Sequence, residues 1–209
     1  GQDLLSAANQ DPYMRSHPLS RDRLRAAKAY VASFGDQSIA NADADYWFAR
    51  VRGKLSAFTR APKWTQRRAP EETSKDIRLM REAVAYHRQN KLKKSLNALN
   101  GALAQRPNDA YYYELKGQIL MENRRWAEAL TAYRRAVDLA PTEALILGGY
   151  GRALLASGQH KQAIQAMEKA RARDFRDSRL LRDMSLAYAK TGQNGMAALV
   201  TAERYALQG

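Results

Sequence analysis

Apolar residues recur every three or four positions along most of this chain, a spacing typical of amphipathic helices. No alternating run rich in valine or isoleucine favours a sheet, so we predict an all-α protein. In the first third, the pattern predicts helices over residues 21–34 and 43–59. Their apolar stripes are Leu24, Ala27, Val31 and Phe34 in the first helix, and Trp47, Val51, Leu55 and Phe58 in the second. Two stripes this narrow favour a helical hairpin packed against another part of the protein.

One repeating spacing organises the rest of the chain. In residues 110–143, small, aromatic and proline residues stand at the spacings of a tetratricopeptide repeat, which is two antiparallel helices in about 34 residues. These residues are Gly117, Ala129, Tyr133, Ala136 and Pro141. Small side chains let the two helices touch, Tyr133 and Ala136 face the next repeat, and Pro141 ends the unit because it cannot continue a helix.

The same spacing, which we call the repeat ruler, fits in both directions and predicts units over residues 76–109, 110–143, 144–177 and 178–209. Turns fall at Asn90, at Gly158-Gln159 and at Gly192-Gln193. The outer units depart from the pattern, as terminal units of a solenoid do. We therefore predict a right-handed tetratricopeptide superhelix of about four helix pairs over residues 71–209. Residues 1–70 would form the helical hairpin and a basic linker, the linker running over residues 60–74.

The net charge of +14 is spread along the chain and is densest where the repeat pattern is absent, whereas the best repeat is neutral. Residues 1–70 carry 12 basic and six acidic side chains, whereas residues 110–143 carry five of each. No arginine-rich block with interleaved aromatic residues is present, so we expect no nucleic-acid partner. No apolar run is long enough to predict a membrane span. A basic surface that meets an acidic partner or anionic lipid is the preferred interpretation.

The chain lacks the residue patterns that catalysis requires. It has no cysteine, and its three histidines, His17, His87 and His160, cannot form a helical metal pair. A His-Glu-x-x-His motif and a glycine-rich phosphate loop are both absent. We therefore expect this piece to be no enzyme by itself and to hold no cofactor. It begins at Gly1 without methionine, which leads us to expect a processed or cut piece.

A repeat solenoid instead offers a concave groove lined by the first helix of each unit. Positions 2, 5, 9, 12 and 13 of a tetratricopeptide unit face that groove. On this chain, the candidate groove residues are Met80, Val84, His87, Arg88, Tyr111, Glu114, Gln118, Met121, Leu145, Arg152, Leu155, Arg179, Arg182 and Lys190. The far end is basic, which favours a protein or extended peptide partner of acidic character. An exposed apolar end at the last repeat also predicts a weak homodimer.

Two further stretches resemble a known family. Residues 11–24, DPYMRSHPLSRDRL, resemble the segment after the catalytic core of HtpX-like and BepA-like zinc metallopeptidases. Residues 112–124, YYELKGQILMENR, and 195–209, GMAALVTAERYALQG, are similar to the tetratricopeptide tail of the BepA-like branch, particularly its alphaproteobacterial members.

This resemblance implies a non-catalytic tail of a periplasmic zinc metalloendopeptidase. The zinc domain would lie upstream, and the tail would recruit clients or outer-membrane assembly partners for proteolysis or quality control. His17 would then be close to the metal of the full-length parent. The alternative is a free-standing tetratricopeptide scaffold or adaptor with no enzyme attached.

Overall fold

The protein is described by a computed structural model that covers residues 20–35 and 40–208. The residues in these two ranges form eleven α-helices and no strand. They fall into two compact units that divide between Asp45 and Tyr46. The first unit contains α1 (Ser20–Phe34), which ends at Gly35 with a positive φ of 50°. A left-handed conformation of this kind favours glycine, so Gly35 stops the helix as predicted.

The second unit contains the repeats and confirms the predicted superhelix. Four helix pairs follow one another, and from the second pair onward the first helices begin at residues 110, 144 and 178, at the spacing of the repeat ruler. The pairs are α4 (Lys75–His87) with α5 (Leu92–Gln105), α6 (Ala110–Glu122) with α7 (Trp126–Leu139), α8 (Ala144–Ala156) with α9 (His160–Arg171), and α10 (Ser178–Lys190) with α11 (Asn194–Ala206). Each second helix from α5 to α9 also packs against the first helix of the next pair.

Tyr133 joins two repeats through contacts that only glycine permits. Its ring is buried between α6 and α8, where a Cβ at Gly117 would lie 2.6 Å from the ring and a Cβ at Gly149 would lie closer still. Gly151 has the same role in the next pair, since a Cβ there would lie 2.5 Å from Cγ of Met167. The predicted close packing around Gly117 and Tyr133 is therefore confirmed.

The turn inside each repeat has one recurring backbone conformation. Asn90, Arg124, Gly158 and Gly192 recur at the spacing of the repeat ruler, and their φ values are 57°, 58°, 76° and 76°. Glycine adopts positive φ at little cost and asparagine tolerates it, whereas an arginine there is strained. Arg124 is therefore the one poorly matched residue in this series of turns.

The predicted linker over residues 60–74 is wrong, because this segment is largely helical and packed. It forms α3 (Pro62–Arg68) and a short 3-10 helix (Ala69–Glu71). Thr65 and Ala69 are fully buried, and α3 packs against α4. Pro62 occupies the start of the helix, where the missing amide hydrogen costs nothing, so the prolines here begin helical turns instead of preventing them.

The predicted apolar stripe of α2 (Ala42–Thr59) packs against the core at Phe58, but the prediction is wrong for Trp47, Val51 and Leu55. The buried residues are Arg50, Gly53 and Ala57, whereas Trp47 and Val51 are exposed. Gly53 explains this orientation, since a Cβ there would lie only 3.2 Å from Cγ2 of Ile77. The small residues let α2 approach α4 closely, and this close contact explains why their face of α2 is the buried one.

Candidate functional site

The first helices of the repeats, α4, α6, α8 and α10, line the concave side of the superhelix. An open depression of about 360 Å³ lies across α6, α8 and the start of α10. We call this depression the open groove. Six of the predicted groove residues line it: Glu114, Gln118, Met121, Leu145, Arg152 and Arg179.

Small residues create the floor of the open groove. Gly148 and Gly149 leave α8 without side chains there, and the ring of Tyr133 fills some of the space from below. Burial raises the pKa of the Tyr133 phenol, and the carboxylates of Glu114 and Glu122 raise it further. The hydroxyl therefore stays protonated at physiological pH and can donate a hydrogen bond to a bound group.

The charges at the far end of the open groove are paired. Arg152 donates from Nε to Oδ2 of Asp183 over 2.5 Å, and Arg182 donates to the other oxygen of the same carboxylate over 3.0 Å. Although burial alone would lower it, the Asp183 carboxylate raises the pKa of Arg152 above its ordinary value. Arg179 is largely exposed and lies near Asp177, the N-cap of α10. This end therefore presents both signs of charge, and the acidic character predicted for the ligand stays a prediction.

An ion pair between a partly exposed lysine and a buried glutamate closes the other end of the open groove. Glu114 is buried, and one of its oxygens accepts from Lys54 of α2 over 3.3 Å. Lys54 lines a second pocket, so the pair stands between that pocket and the open groove.

The groove surface of the first repeat is covered by the chain itself. Met80 and Val84, both predicted to face a ligand, are buried in one apolar cluster with Ala57 of α2. Arg88 donates to the carbonyl oxygens of Ala57, over 2.9 Å, and Arg60. In this conformation, Val84 and Arg88 serve the packing of α2.

The second pocket lies between α2 and α6 and has a volume of about 480 Å³. Its lining is mostly apolar and aromatic: Trp47, Arg50, Val51, Lys54, Met80, Tyr111, Tyr112 and Leu115. Tyr111, a predicted groove residue, belongs here, with its ring 6.5 Å from that of Trp47 in an edge-to-face arrangement. We call this pocket the aromatic pocket.

Polar bonds hold α2 in place above the aromatic pocket. Arg50 makes a two-pronged ion pair with Asp109, at 2.5 and 2.7 Å, and its guanidinium lies 4.0 Å from the centre of the Tyr112 ring. Asp76 accepts from the hydroxyls of Tyr46 and Tyr112 at 2.6 and 2.8 Å. Although burial alone would raise it, these hydrogen bonds, another from Ser74 and the nearby Arg106 lower the pKa of Asp76.

The remaining predicted residues are dispersed. His87 lies 2.7 Å through Nε2 from a carboxylate oxygen of Glu122, at the edge of the open groove. Leu155 packs against the core of the last two repeats. Lys190 is exposed in the last turn of α10. His17 lies outside the described residues.

Several residues that line the open groove were not predicted from the sequence. Trp126, Tyr133 and Leu180 line the open groove from second helices and from a buried position. The groove positions of the repeat ruler lie on the outward faces of first helices, whereas Trp126 and Tyr133 belong to a second helix and Leu180 is buried, so none of the three was predicted to line the groove. Glu122 is different, since it occupies position 13 of the second unit and lines the open groove. Applying the ruler there would have found it.

The described ranges contain neither a candidate metal site nor a candidate membrane span. Among residues 20–35 and 40–208, no three histidine, cysteine, aspartate or glutamate side chains are grouped so as to hold a metal ion. No helix within these ranges combines the length and apolar character needed to cross a membrane.

The sequence matches family models for tetratricopeptide repeats in two overlapping stretches. One match covers residues 80–144 and the other covers residues 120–184. No curated protein matches the chain.

The fold is similar to solved structures of MamA. MamA AMB-1 is 14% identical, with a TM-score of 0.63 over 77% of this chain and 98% of that one. A structure of MamA from residue 41 to the end, from Desulfovibrio magneticus RS-1, is 19% identical, with a TM-score of 0.64 over 77% of this chain and 93% of that one. At these identities, the likeness shows the fold alone.

Proposed function

Because the chain is built from tetratricopeptide repeats, we propose that it is an adaptor that holds a segment of a partner protein in the open groove. Repeat solenoids offer extended concave surfaces of this kind for binding. The adaptor would act by holding its partner in place and would catalyse no reaction itself.

One observation carries this proposal. Six residues that the repeat ruler marks as outward-facing on three successive first helices line a single depression. Gly148 and Gly149 deepen this depression, because the wall of α8 has no side chain there. A segment in extended conformation fits such a surface, since it can place alternate side chains toward the groove.

The lining also indicates which side chains a ligand would present. Met121, Trp126 and Leu145 offer apolar contact, while the phenol of Tyr133 offers a hydrogen bond. Arg179 is the most exposed cation of the groove, and Glu122 is a half-exposed anion. We propose a segment with an apolar residue in its middle, with a carboxylate that reaches Arg179.

Site-specific photo-crosslinking tests the proposal. A benzophenone amino acid placed at Leu145, which is half exposed in the groove, would capture the partner in an extract of the native cell. The matched control carries the same group at Leu199, which is equally exposed on α11. We expect one protein to be captured from position 145 and not from position 199.

Substitution of Leu145 by arginine then measures the contribution of the groove. Binding of the purified partner should weaken at least about tenfold, since a central apolar contact would be lost. The Leu199→Arg control should bind as the parent chain does. Capture from both positions, or equal affinity of both variants, would overturn the proposal.

The resemblance to a zinc metallopeptidase tail remains a separate hypothesis. Its histidine motif around His17 lies outside the described residues, and the family models that match are tetratricopeptide repeats. An adaptor without an attached enzyme agrees better with these findings. A periplasmic location and an upstream zinc domain depend on that hypothesis, which the coding sequence upstream of Gly1 tests directly through a His-Glu-x-x-His motif and a signal peptide.

A further inference from the structure

The exposed face of α2 is more apolar than its buried face. Trp47, Val51 and Leu55 stand on three successive turns and are 45%, 62% and 63% exposed. Phe48 lies beside them and is 67% exposed. The inward face instead carries Arg50, which is 6% exposed. Such an arrangement reverses the usual order, in which the polar face of a helix meets water.

The two charged residues on the inward face of α2 each have an ion-pair partner. Arg50 pairs with Asp109, and Lys54 pairs with Glu114. These bonds fix the rotation of α2, so the helix cannot turn its apolar face inward without leaving buried charges unpaired. The fold therefore holds Trp47, Val51 and Leu55, which we call the apolar row, facing outward.

The apolar row forms one wall of the aromatic pocket. Trp47 and Val51 belong both to the row and to the pocket lining. Tyr111 and Leu115 of α6 form the facing wall. Row and pocket together make a continuous apolar surface with a cleft, and a side chain can enter that cleft.

The segment that carries this surface is basic. Residues 46–75, which contain most of α2 and all of α3, carry eight basic and two acidic side chains, and six of the basic ones remain when the inward-paired Arg50 and Lys54 are set aside. Arg52, Arg60, Lys63 and Arg67 are exposed among them. An occupant with negative charge would therefore be favoured over a neutral or basic one.

We infer that the apolar row and the aromatic pocket form a second docking surface, which takes an acidic amphipathic helix of a partner protein. The spacing of one apolar side chain per turn on α2 matches the apolar stripe of another helix, which places its anchors at intervals of three and four residues. A protein segment is favoured over a lipid surface, because the cleft between α2 and α6 can receive a protruding side chain. The inference does not rest on the proposed function of the open groove, since Leu145 and Arg179 do not line this surface.

Two synthetic peptides, each long enough to form several helical turns, test the inference. Both carry leucine at positions spaced by three and four residues, and their polar positions are glutamate in one peptide and lysine in the other. Titration of the full chain into each fluorescein-labelled peptide gives the affinity by anisotropy. We expect the glutamate peptide to bind at least about tenfold more tightly than the lysine peptide.

Matched variants locate the binding. Val51→Asp and Leu55→Asp each place a carboxylate in the apolar row, and Leu199→Asp places one at a half-exposed apolar residue of α11. The two row variants should each weaken binding of the glutamate peptide at least about tenfold, and Leu199→Asp less than about twofold. Circular dichroism melts confirm that the variants fold, which their exposure favours.

Two further measurements distinguish this surface from the open groove and a protein partner from a lipid surface. The Leu145→Arg variant should bind the glutamate peptide normally, so a failure of the open groove would leave this result unchanged. Sedimentation with phosphatidylglycerol vesicles that is lost in Val51→Asp, together with no binding of the glutamate peptide, would assign the surface to lipid and overturn the inference. Equal affinity for both peptides, or equal effects of Val51→Asp and Leu199→Asp, would overturn it as well.

Discussion

The concave surface of the first repeat differs from that of the third repeat in what covers it. Over the first repeat, Met80 and Val84 are buried under α2, which is tied down by polar bonds such as Arg50 to Asp109. Over the third repeat, Leu145 is half exposed, and the glycines of α8 leave space above Tyr133. The same repeat architecture thus presents a closed surface at one end and an open one at the other. Of these two concave surfaces, the one over the third repeat is open to a ligand without movement of α2.

The largest effect should follow from breaking the bond that closes the first repeat. Arg50→Ala removes one partner of a buried ion pair and leaves Asp109 uncompensated, so the free energy of unfolding should fall by about 3–5 kcal/mol. Arg52→Ala, two residues away and exposed, should change it by less than about 0.5 kcal/mol. Urea denaturation of the two variants measures the difference, and similar midpoints would show that the pair does not hold α2.

A second comparison uses the adjacent glycines on the open side. A Cβ at Gly149 would clash with the rigid, buried ring of Tyr133, whereas one at Gly148 would meet only Leu180 at 3.6 Å. Gly149→Ala should therefore lower the free energy of unfolding by about 2 kcal/mol through overpacking. Gly148→Ala should raise it by about 0.5–1 kcal/mol, because alanine is the better helix former. Thermal melts that show the same sign for both would contradict the packing around Tyr133.

Acid should weaken the closed end through Asp76. Since the pKa of Asp76 is lowered in the folded chain, its contribution to stability is present above its unfolded pKa of about 3.9. That contribution is lost as the pH falls through this value toward the folded pKa. We expect the Asp76→Asn variant to lose less stability than the parent chain between about pH 5 and pH 3.

The control for this pH dependence is Asp138→Asn, a substitution of an exposed carboxylate on α7. It should follow the parent curve throughout. Denaturation at a series of pH values checks both variants, and parallel curves for Asp76→Asn and the parent chain would rule out the role given to Asp76.

The smallest effect concerns the turn of the second repeat. Arg124 has a φ of 58°, where the third and fourth repeats use Gly158 and Gly192. Arg124→Gly removes the strain of a left-handed side-chain-bearing residue, and the free energy of unfolding should rise by about 0.5–1 kcal/mol. The reverse change, Gly158→Arg, should lower it by a similar amount. Opposite shifts in the midpoint of thermal unfolding are expected, and no shift in either variant would contradict the account of the turns.

The repeat ruler predicted much of this fold because it rests on local rules. Gly117, Tyr133 and the turn glycines each mark a contact or a φ angle within one or two repeats, and these were confirmed. The same ruler also named six residues that meet in the open groove. The spacing of residues along the chain does not predict which face of a helix is buried when either of two faces could pack inward.

The errors arose from contacts between residues distant in sequence. For α2, the apolar stripe suggested one face, but Gly53 and the pairing of Arg50 with a residue 59 positions away selected the other. Likewise, Arg152 and Asp183 are 31 residues apart, so their pairing could not be read from local composition. The prediction that this end of the groove is basic considered the arginines alone. It left out the Asp183 carboxylate, which accepts from both Arg152 and Arg182.

The central claim is that a partner occupies the open groove. The chain has no cysteine, so a single cysteine at Leu145 can be labelled with a maleimide with and without the partner, and a cysteine at Leu199 serves as the control. The account predicts that the partner slows labelling at position 145 at least about tenfold and leaves position 199 unchanged. Undiminished labelling at position 145, under conditions in which the partner is bound, would contradict it.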